Sequence, residues 1–336
     1  MKKFGAIALS AAILSALAVS ASAAYIAQQD DPSTIQFTIN QGYTAWAADG
    51  VISDGEYARV DFKTSQISIA AASDDAAATA IQLPISLYMS YDAEYVYVAC
   101  ETAADQYVCD VDEATKGNMW AAHAIQLSFA NIDATDSAER LELGYALSTL
   151  DNNLYACSWF DPMGIAYDPD DAGDYTIVKA GNTVTYEMRI PFNAFVEKNL
   201  VEGDKFLGSI VWAMGTSEDG GTDAYVHEQL GYGVSGDPGK DPTGHATFTL
   251  GAALEAPVSV MKTAGEGGPW GVAILAEYMV SKADGETLDA YLENKVFAGQ
   301  ESTEIAPDAE DIAGFKAFLE NYKKGLAAEK AAVEAF

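Results

Sequence analysis

The sequence predicts a mainly β protein: an antiparallel, jelly-roll-like β-sandwich followed by a small all-α C-terminal segment. Three observations predict it. From Thr34 to Leu250, short stretches alternate apolar and polar residues, the period of two that a strand buried on one face requires. Clusters of Gly, Asp, Asn and Pro separate them at the close spacing of hairpin-connected sheets. After Gly251 the alternation stops and helical stretches replace it.

The first residues are not fold. Lys2 and Lys3 precede an apolar run, Ala6 to Val19, and then Ala21-Ser22-Ala23. This is the form of a secretory signal peptide over residues 1–23, so the chain is expected to be exported and extracellular. The run is too short for a membrane span, and no Cys follows it to carry a lipid.

Residues 24–250 are read as the β body. Thr34 to Ile39 is a short strand. Asp49-Gly50 and Asp54-Gly55 are turns around Val51 and Ile52. Asp74 to Thr79 is a loop. Pro84 to Thr102 is the clearest hairpin. Leu87 and Met89 alternate with Ser86 and Tyr88, Val96, Val98 and Cys100 alternate with tyrosines, and Asp92-Ala93-Glu94 turns between them. Asp105 to Asn118 is an acidic loop leading into a strand over Met119 to Asn131, with His123, Ile125, Leu127 and Phe129 on one phase and Gln126 on the other. Glu139 to Leu147 and Leu154 to Phe160 are strands around an Asn152-Asn153 turn. Tyr167 to Asp174 is a turn. Tyr175 to Ala180 and Thr183 to Pro191 form a hairpin across Gly181-Asn182, ended by Pro191, which has no N–H to donate. Phe206 to Met214 is apolar on both phases and so covered on both sides. Gly215 to Asp223 and Gly231 to Gly244 are Gly-rich loops, and Ala246 to Leu250 closes the body.

Residues 251–336 read as all-α. Helices are expected over Pro269 to Lys282, over Thr287 to Phe297, and from Asp308, with the stripe Ile312, Phe315, Leu319 and Tyr322. Gly325 is expected to break the last of these before Leu326 to Ala335. The first helix is apolar nearly all round, with Trp270, Val272, Ile274, Leu275, Tyr278 and Met279. A helix like that packs on the body, associates with a second copy, or docks a partner.

Composition excludes some functions. The 336 residues carry 18 Lys and Arg against 50 Asp and Glu, a formal charge of −32. That excludes nucleic acid and acidic polymers as ligands. It says little about a neutral ligand, because salt screens the field within about 8 Å. Cys100, Cys109 and Cys157 form no zinc spacing and no disulfide framework. Cys100 falls on a buried phase, although a Cys100–Cys109 bridge could form in an exported protein. Catalytic signatures are missing. The three histidines, His123, His227 and His245, are far apart in sequence. His227 sits in an expected loop, no G-x-S-x-G occurs, and no carboxylate pair stands out. No cofactor is expected. Asp168, Asp170, Asp171 and Asp174 could give oxygens to calcium, although not at EF-hand spacing.

Several segments of the body resemble the family-nine type carbohydrate-binding modules and their DOMON-like relatives. They are DGVISDGEY (Asp49 to Tyr57), YMSYDAEYVYVACE (Tyr88 to Glu101), MWAAHAIQLSFA (Met119 to Ala130), VTYEMRIPF (Val184 to Phe192) and HATFTL (His245 to Leu250). His123 stands near where relatives carry an Asp. The resemblance implies a non-catalytic β-sandwich that binds a neutral polysaccharide or oligosaccharide. Stacking on sugar needs flat apolar faces and nearby polar groups. Trp120, Trp159 and Trp212, at predicted strand ends, are the expected platforms, with Tyr155, Gln126, Asp219 and Tyr225 as polar partners. A haem-binding DOMON-like sandwich would use His123 with a methionine. The tail, AGEGGPWGVAILAEYMVSKADGETLDAYLENKVFAG (Ala264 to Gly299) and the residues beyond, resembles the C-terminal end of FGGY-type carbohydrate kinases of the ribulokinase and xylulokinase sort. Such a kinase's sugar-binding half, phosphate-binding turns and catalytic base have no counterpart here, so that resemblance implies an inactive fragment.

Overall fold

The computed structural model describes residues 24–26, 29–71, 85–104, 107–215, 225–231, 241–261, 267–299, 302–306 and 308–334. The expected leader, the loop Asp74 to Thr79, most of both Gly-rich stretches, and Asp219 lie outside these residues. The chain divides into two compact units, Met1–Leu254 and Glu255–Phe336.

The first unit is mostly β. Its strands are β1 (Ala24–Ile26), β2 (Gln36–Gln41), β3 (Ala58–Arg59), β4 (Ile67–Ala71), β5 (Ile85–Tyr91), β6 (Tyr95–Ala103) and β7 (Ala124–Asn131). They continue with β8 (Arg140–Leu147), β9 (Leu154–Phe160), β10 (Tyr175–Ala180), β11 (Thr183–Pro191), β12 (Lys205–Gly215), β13 (Tyr225–Leu230) and β14 (Ala246–Leu250). All belong to one large sheet that nearly closes on itself. One half runs β4-β13-β12-β7-β8-β9, and the other runs β5-β6-β11-β10. β2 joins them: Gln36 to Ile39 pair with β14, and Asn40 and Gln41 pair with β5. Both of these pairings are parallel, which corrects the expectation of a purely antiparallel sandwich. Alternation along single strands reports burial and is blind to strand direction.

The pleat sorts side chains as the sequence predicts for the two hairpins. Leu87, Met89, Val96, Val98, Cys100, Val184, Tyr186, Met188 and Ile190 are buried on the inner face. Opposite them lie Ile125, Leu127, Phe129, Leu141, Leu143, Tyr145, Ile210 and Trp212, in the same core. Two further readings are corrected. Met119 is not in a strand. Lys116–Ala121 forms a 3-10 turn closed by Ala122 N–H to the Met119 carbonyl, and the strand starts at Ala124. His227 is in strand β13 rather than a loop. All three cysteines are free and buried, so there is no Cys100–Cys109 bridge. Loss of solvation raises each thiol, Cys109 and Cys157 to about 12.

The second unit is not all-α. β15 (Val258–Met261) and β16 (Ser302–Ile305) form an antiparallel pair of β-branched and polar residues. The helices are α2 (Gly267–Ser281), α3 (Leu288–Tyr291), which runs into a π-turn over Leu292–Val296, and α4 (Ala309–Glu334). In the first unit, α1 (Pro169–Ala172) is a single turn capped by Asp168. Gly325 does not break α4. A helical glycine costs only about 1 kcal/mol, which a helix of 26 residues carries.

Candidate functional site

The outer face of the β4-β13-β12-β7-β8-β9 half is unusual. Register sets Ser68, Gln229, Val211, Gln126 and Gly144 in one row across it. Directly paired residues share a face, so this row points away from Trp212 and Ile125. The next rows bring His227, Ala213 and Ala124 on one side, and Ser209, Ser128 and Glu142 on the other. An outward face of an ordinary sheet is wet. Here Ser68, Gln229, Gln126, Ser209, Ser128 and His227 are all buried. Ser68 Oγ donates to Gln229 Oε1 at 3.2 Å. Among the described residues, the Nε2 groups of Gln126 and Gln229 and Oγ of Ser209 have no hydrogen-bond partner. Each orphaned group costs on the order of 1–3 kcal/mol, and native folds leave few of them.

Two half-buried indoles flank this strip. Trp159 sits at a bulge in β9, where the register with β8 shifts. Its ring lies over Gly144. A Cβ there would come 2.4 Å from Trp159 Cη2 and 2.8 Å from Met119 Sδ, so only glycine admits the ring. Trp159 Nε1 donates to the Gly117 carbonyl at 3.0 Å. Trp120 extends from the same 3-10 turn. Its ring meets His227 edge-on at 6.5 Å, and its carbonyl accepts from His227 Nε2. Burial lowers the imidazole to about 4, so His227 is neutral with its proton on Nε2. Gln126 lies between them, opposite Gly144 on one side and two residues from Ala124 along its strand. Two partly exposed aromatic faces on one side of a sheet can hold a ligand with apolar C–H faces.

The other expected site residues fall as follows. Trp212 is corrected: it is 1 % exposed and packs on Phe62 at 5.5 Å, so neither indole face can meet a ligand. Tyr155 is on the same outward phase as Gly144, and its hydroxyl donates to Asp151 at 2.6 Å. Tyr225 opens β13, its backbone paired with Gly215. The calcium reading is also corrected. Asp168 caps α1 through Asp170 N–H. Asp170 accepts from Tyr175 at 2.6 Å and Lys116 at 2.7 Å. Asp174 holds Arg189 at 2.7 Å. Each of the three has at least one carboxylate oxygen held by a protein donor. Among the described residues no group of three or more His, Cys, Asp or Glu is arranged to hold a metal. The side chain of Asp171 lies outside the description. His123 is a buried histidine whose Nδ1 lies 2.9 Å from Val108 N and 3.0 Å from the Val108 carbonyl.

Sequence reasoning missed a second aromatic cluster, on the outer face of the other half. Trp46 stacks on Tyr97 at 5.3 Å, and the Arg189 guanidinium lies 5.2 Å from Trp46 and 4.7 Å from Tyr95. Trp46 Nε1 donates to Tyr57 Oη, which donates to Glu187 at 3.0 Å, and Gly50 N–H donates to Glu187 as well. Burial raises Glu187. Trp46, Tyr57 and Gly50 each donate to a protein acceptor, so the cluster fastens residues 42–57 onto the sheet. Its signal was present in the outward phase of Tyr95, Tyr97, Glu187 and Arg189.

One contact resembles a nucleophile and its base: Ser128 Oγ and His245 Nε2 are 2.8 Å apart. Burial first, and then Arg140, depress His245 to about 3. An imidazole that weak takes no proton from a serine near neutral pH.

No protein-family model matches the chain, and no curated protein matches it. Among solved structures, a family 9 carbohydrate-binding module from Caldicellulosiruptor kristjanssonii in complex with cellotriose is 12% identical, with a TM-score of 0.46, covering 66% of this chain and 98% of its own. The same kind of module in complex with glucose gives a TM-score of 0.45 at the same identity and coverage. A protein from Bacteroides uniformis described as carbohydrate-binding is 10% identical, with a TM-score of 0.39, covering 64% of this chain and 98% of its own. At these values no residue carries over. The kinase-like and DOMON-like segments have no counterpart among these comparisons.

Proposed function

We propose that this chain is an exported, non-catalytic carbohydrate-binding protein. The ligand is a neutral glycan lying on the outer face of the β4-β13-β12-β7-β8-β9 half. Trp159 and Trp120 supply apolar faces for the C–H side of a pyranose. Gln126, 8 % exposed between them, turns its amide toward a hydroxyl oxygen as the ligand seats; Gln229, 1 % exposed, supports the strip from beneath and does not meet the ligand. Ser209 lies one row away on the same face. The observation that carries this reading is the pair of half-buried indoles, Trp159 and Trp120, on either side of Gln126 on one sheet face. Export rests on the sequence of residues 1–23. The neutral character of the ligand follows from the charge of −32, which repels anionic polymers.

The expected affinity is modest. One indole face covering about 100 Å² is worth roughly 2–3 kcal/mol. Two faces with hydrogen bonds, less the cost of association, leave a Kd of about a millimolar to a micromolar. Titration calorimetry on the whole protein with glucose, cellotriose and a panel of neutral oligosaccharides tests the reading. Binding of at least one, weakened by Trp159→Ala and by Gln126→Ala in folded protein, is the expected result. If no neutral glycan binds, or binding survives both changes, the proposal is wrong.

A further inference from the structure

The Glu255–Phe336 unit has almost no core of its own. Among its described side chains, Tyr291 alone is buried. A chain segment of this length needs far more apolar burial than one tyrosine to offset its ordering entropy. The missing burial is sitting on its surface. Val272 is 69 % exposed and Met279 77 % on α2, and Phe315 is 60 % and Tyr322 54 % on α4. Among the described residues the two helices do not pack along one another.

The pattern on α4 says what covers it. Ile312, Phe315, Leu319, Tyr322 and Leu326 recur at alternating steps of three and four, the a and d spacing of a coiled coil over two heptads, with Phe315 and Tyr322 exposed and Ile312 and Leu319 half-buried. Phe318 lies beside it, stacked on Phe315 and on Tyr322 at 6.2 Å each. With Ile312 as position a, Lys316, Lys323 and Lys330 all fall at position e, while Asp311, Phe318 and Gly325 fall at g. The flank therefore distinguishes two pairings. An antiparallel pair sets the lysine rows against each other. A parallel pair sets e positions against g positions of the other helix, so that Lys316 meets Asp311. The exposed Lys316–Glu255 pair at 3.5 Å is too weak to hold Lys316 back.

We propose that the chain is a homodimer joined by a parallel coiled coil of α4. The seam is Ile312, Phe315, Leu319 and Tyr322, and the pairing is set by Asp311 with Lys316 of the other copy. The occupant of the aromatic stripe is thus a second copy of this chain, and two glycan-binding bodies are tethered together.

Sedimentation of the full-length mature protein over a dilution series tests this. The expected result is a dimer that dissociates on dilution, and a Leu319→Glu variant that is monomeric throughout with its sheet circular dichroism intact. Ile312→Cys at the seam is expected to cross-link the dimer on mild oxidation, because a parallel register brings the two copies of position 312 together. The buried native thiols do not compete. A wild-type chain that is monomeric at every concentration overturns the proposal, including one that binds vesicles or another protein instead. So does a dimer indifferent to Leu319→Glu, or one that does not cross-link through position 312.

Discussion

Gly144→Ala should dismantle the Trp159 platform without touching a polar group. The added Cβ would sit 2.4 Å from Trp159 Cη2, at least 1 Å inside ordinary van der Waals contact, and 2.8 Å from Met119 Sδ. β8 is a paired inner strand of its half of the sheet, and Met119 is fully buried, so neither yields readily. The indole must swing away. Overpacking costs about 1–3 kcal/mol, and loss of the Trp159 Nε1 bond to Gly117 adds about 0.5–1.5 kcal/mol. Together these predict a loss of about 2–4 kcal/mol in urea unfolding and a fall in Tm of about 5–15 °C. Displacing one indole face from a glycan should weaken binding about tenfold or more, read by calorimetry at a temperature where the variant is folded. Wild-type stability would refute the close packing of Trp159 on Gly144. Reduced stability with unchanged glycan affinity would refute the placement of Trp159 in the site.

Other outcomes follow from the same geometry. Gln126→Met removes a partnerless buried amide, so it should leave stability unchanged or raise it by about 1 kcal/mol while weakening glycan binding; a large destabilisation would mean the amide has a structural partner. His123 and His227 titrate near 4 and His245 near 3 when folded, against 6.5 unfolded. The unfolded chain therefore binds protons first, and urea midpoints should fall as pH drops from 6.5 toward 4. Glu228 acts in the opposite sense. Burial raises it from 4.5 to about 8, so it removes stability as pH rises through that interval, and Glu228→Gln should flatten the alkaline limb of the profile. Cys100, Cys109 and Cys157 should resist a thiol reagent in native protein and react fully in denaturant; rapid native labelling would contradict their burial.

The strands were legible wherever alternation was clean. Leu154–Phe160, Tyr175–Ala180 and Ala246–Leu250 have the bounds that the sequence implies, because one face of each is in the core and the turns carry Gly or Asn. Gly181 at φ +57° and Asn152 at φ +60° show those turns directly. β4 and β13 were not legible. Ser68 and Gln229 on their outer phase are buried, so apolar burial did not mark that face. The same inversion hides the floor of the candidate site: the side-chain chemistry of Gln126 is plain in sequence, whereas Gln229 joins it only when register sets both in one row. Trp212 failed for a related reason. A tryptophan at a strand end looks the same in sequence whether its phase is inward or outward, and Trp212 pairs with Ile125 on the inward one.

The double attachment of β2 bears on how the molecule is made. Gln36 to Ile39 find their partners in Thr247 to Leu250, and Asn40 reaches the Ala252 carbonyl across 212 residues of sequence. A ribosome has therefore released nearly the entire body before β2 can close onto β14. Until then the emerging polypeptide holds local hairpins around an unclosed seam, and assembly waits on one late, long-range encounter.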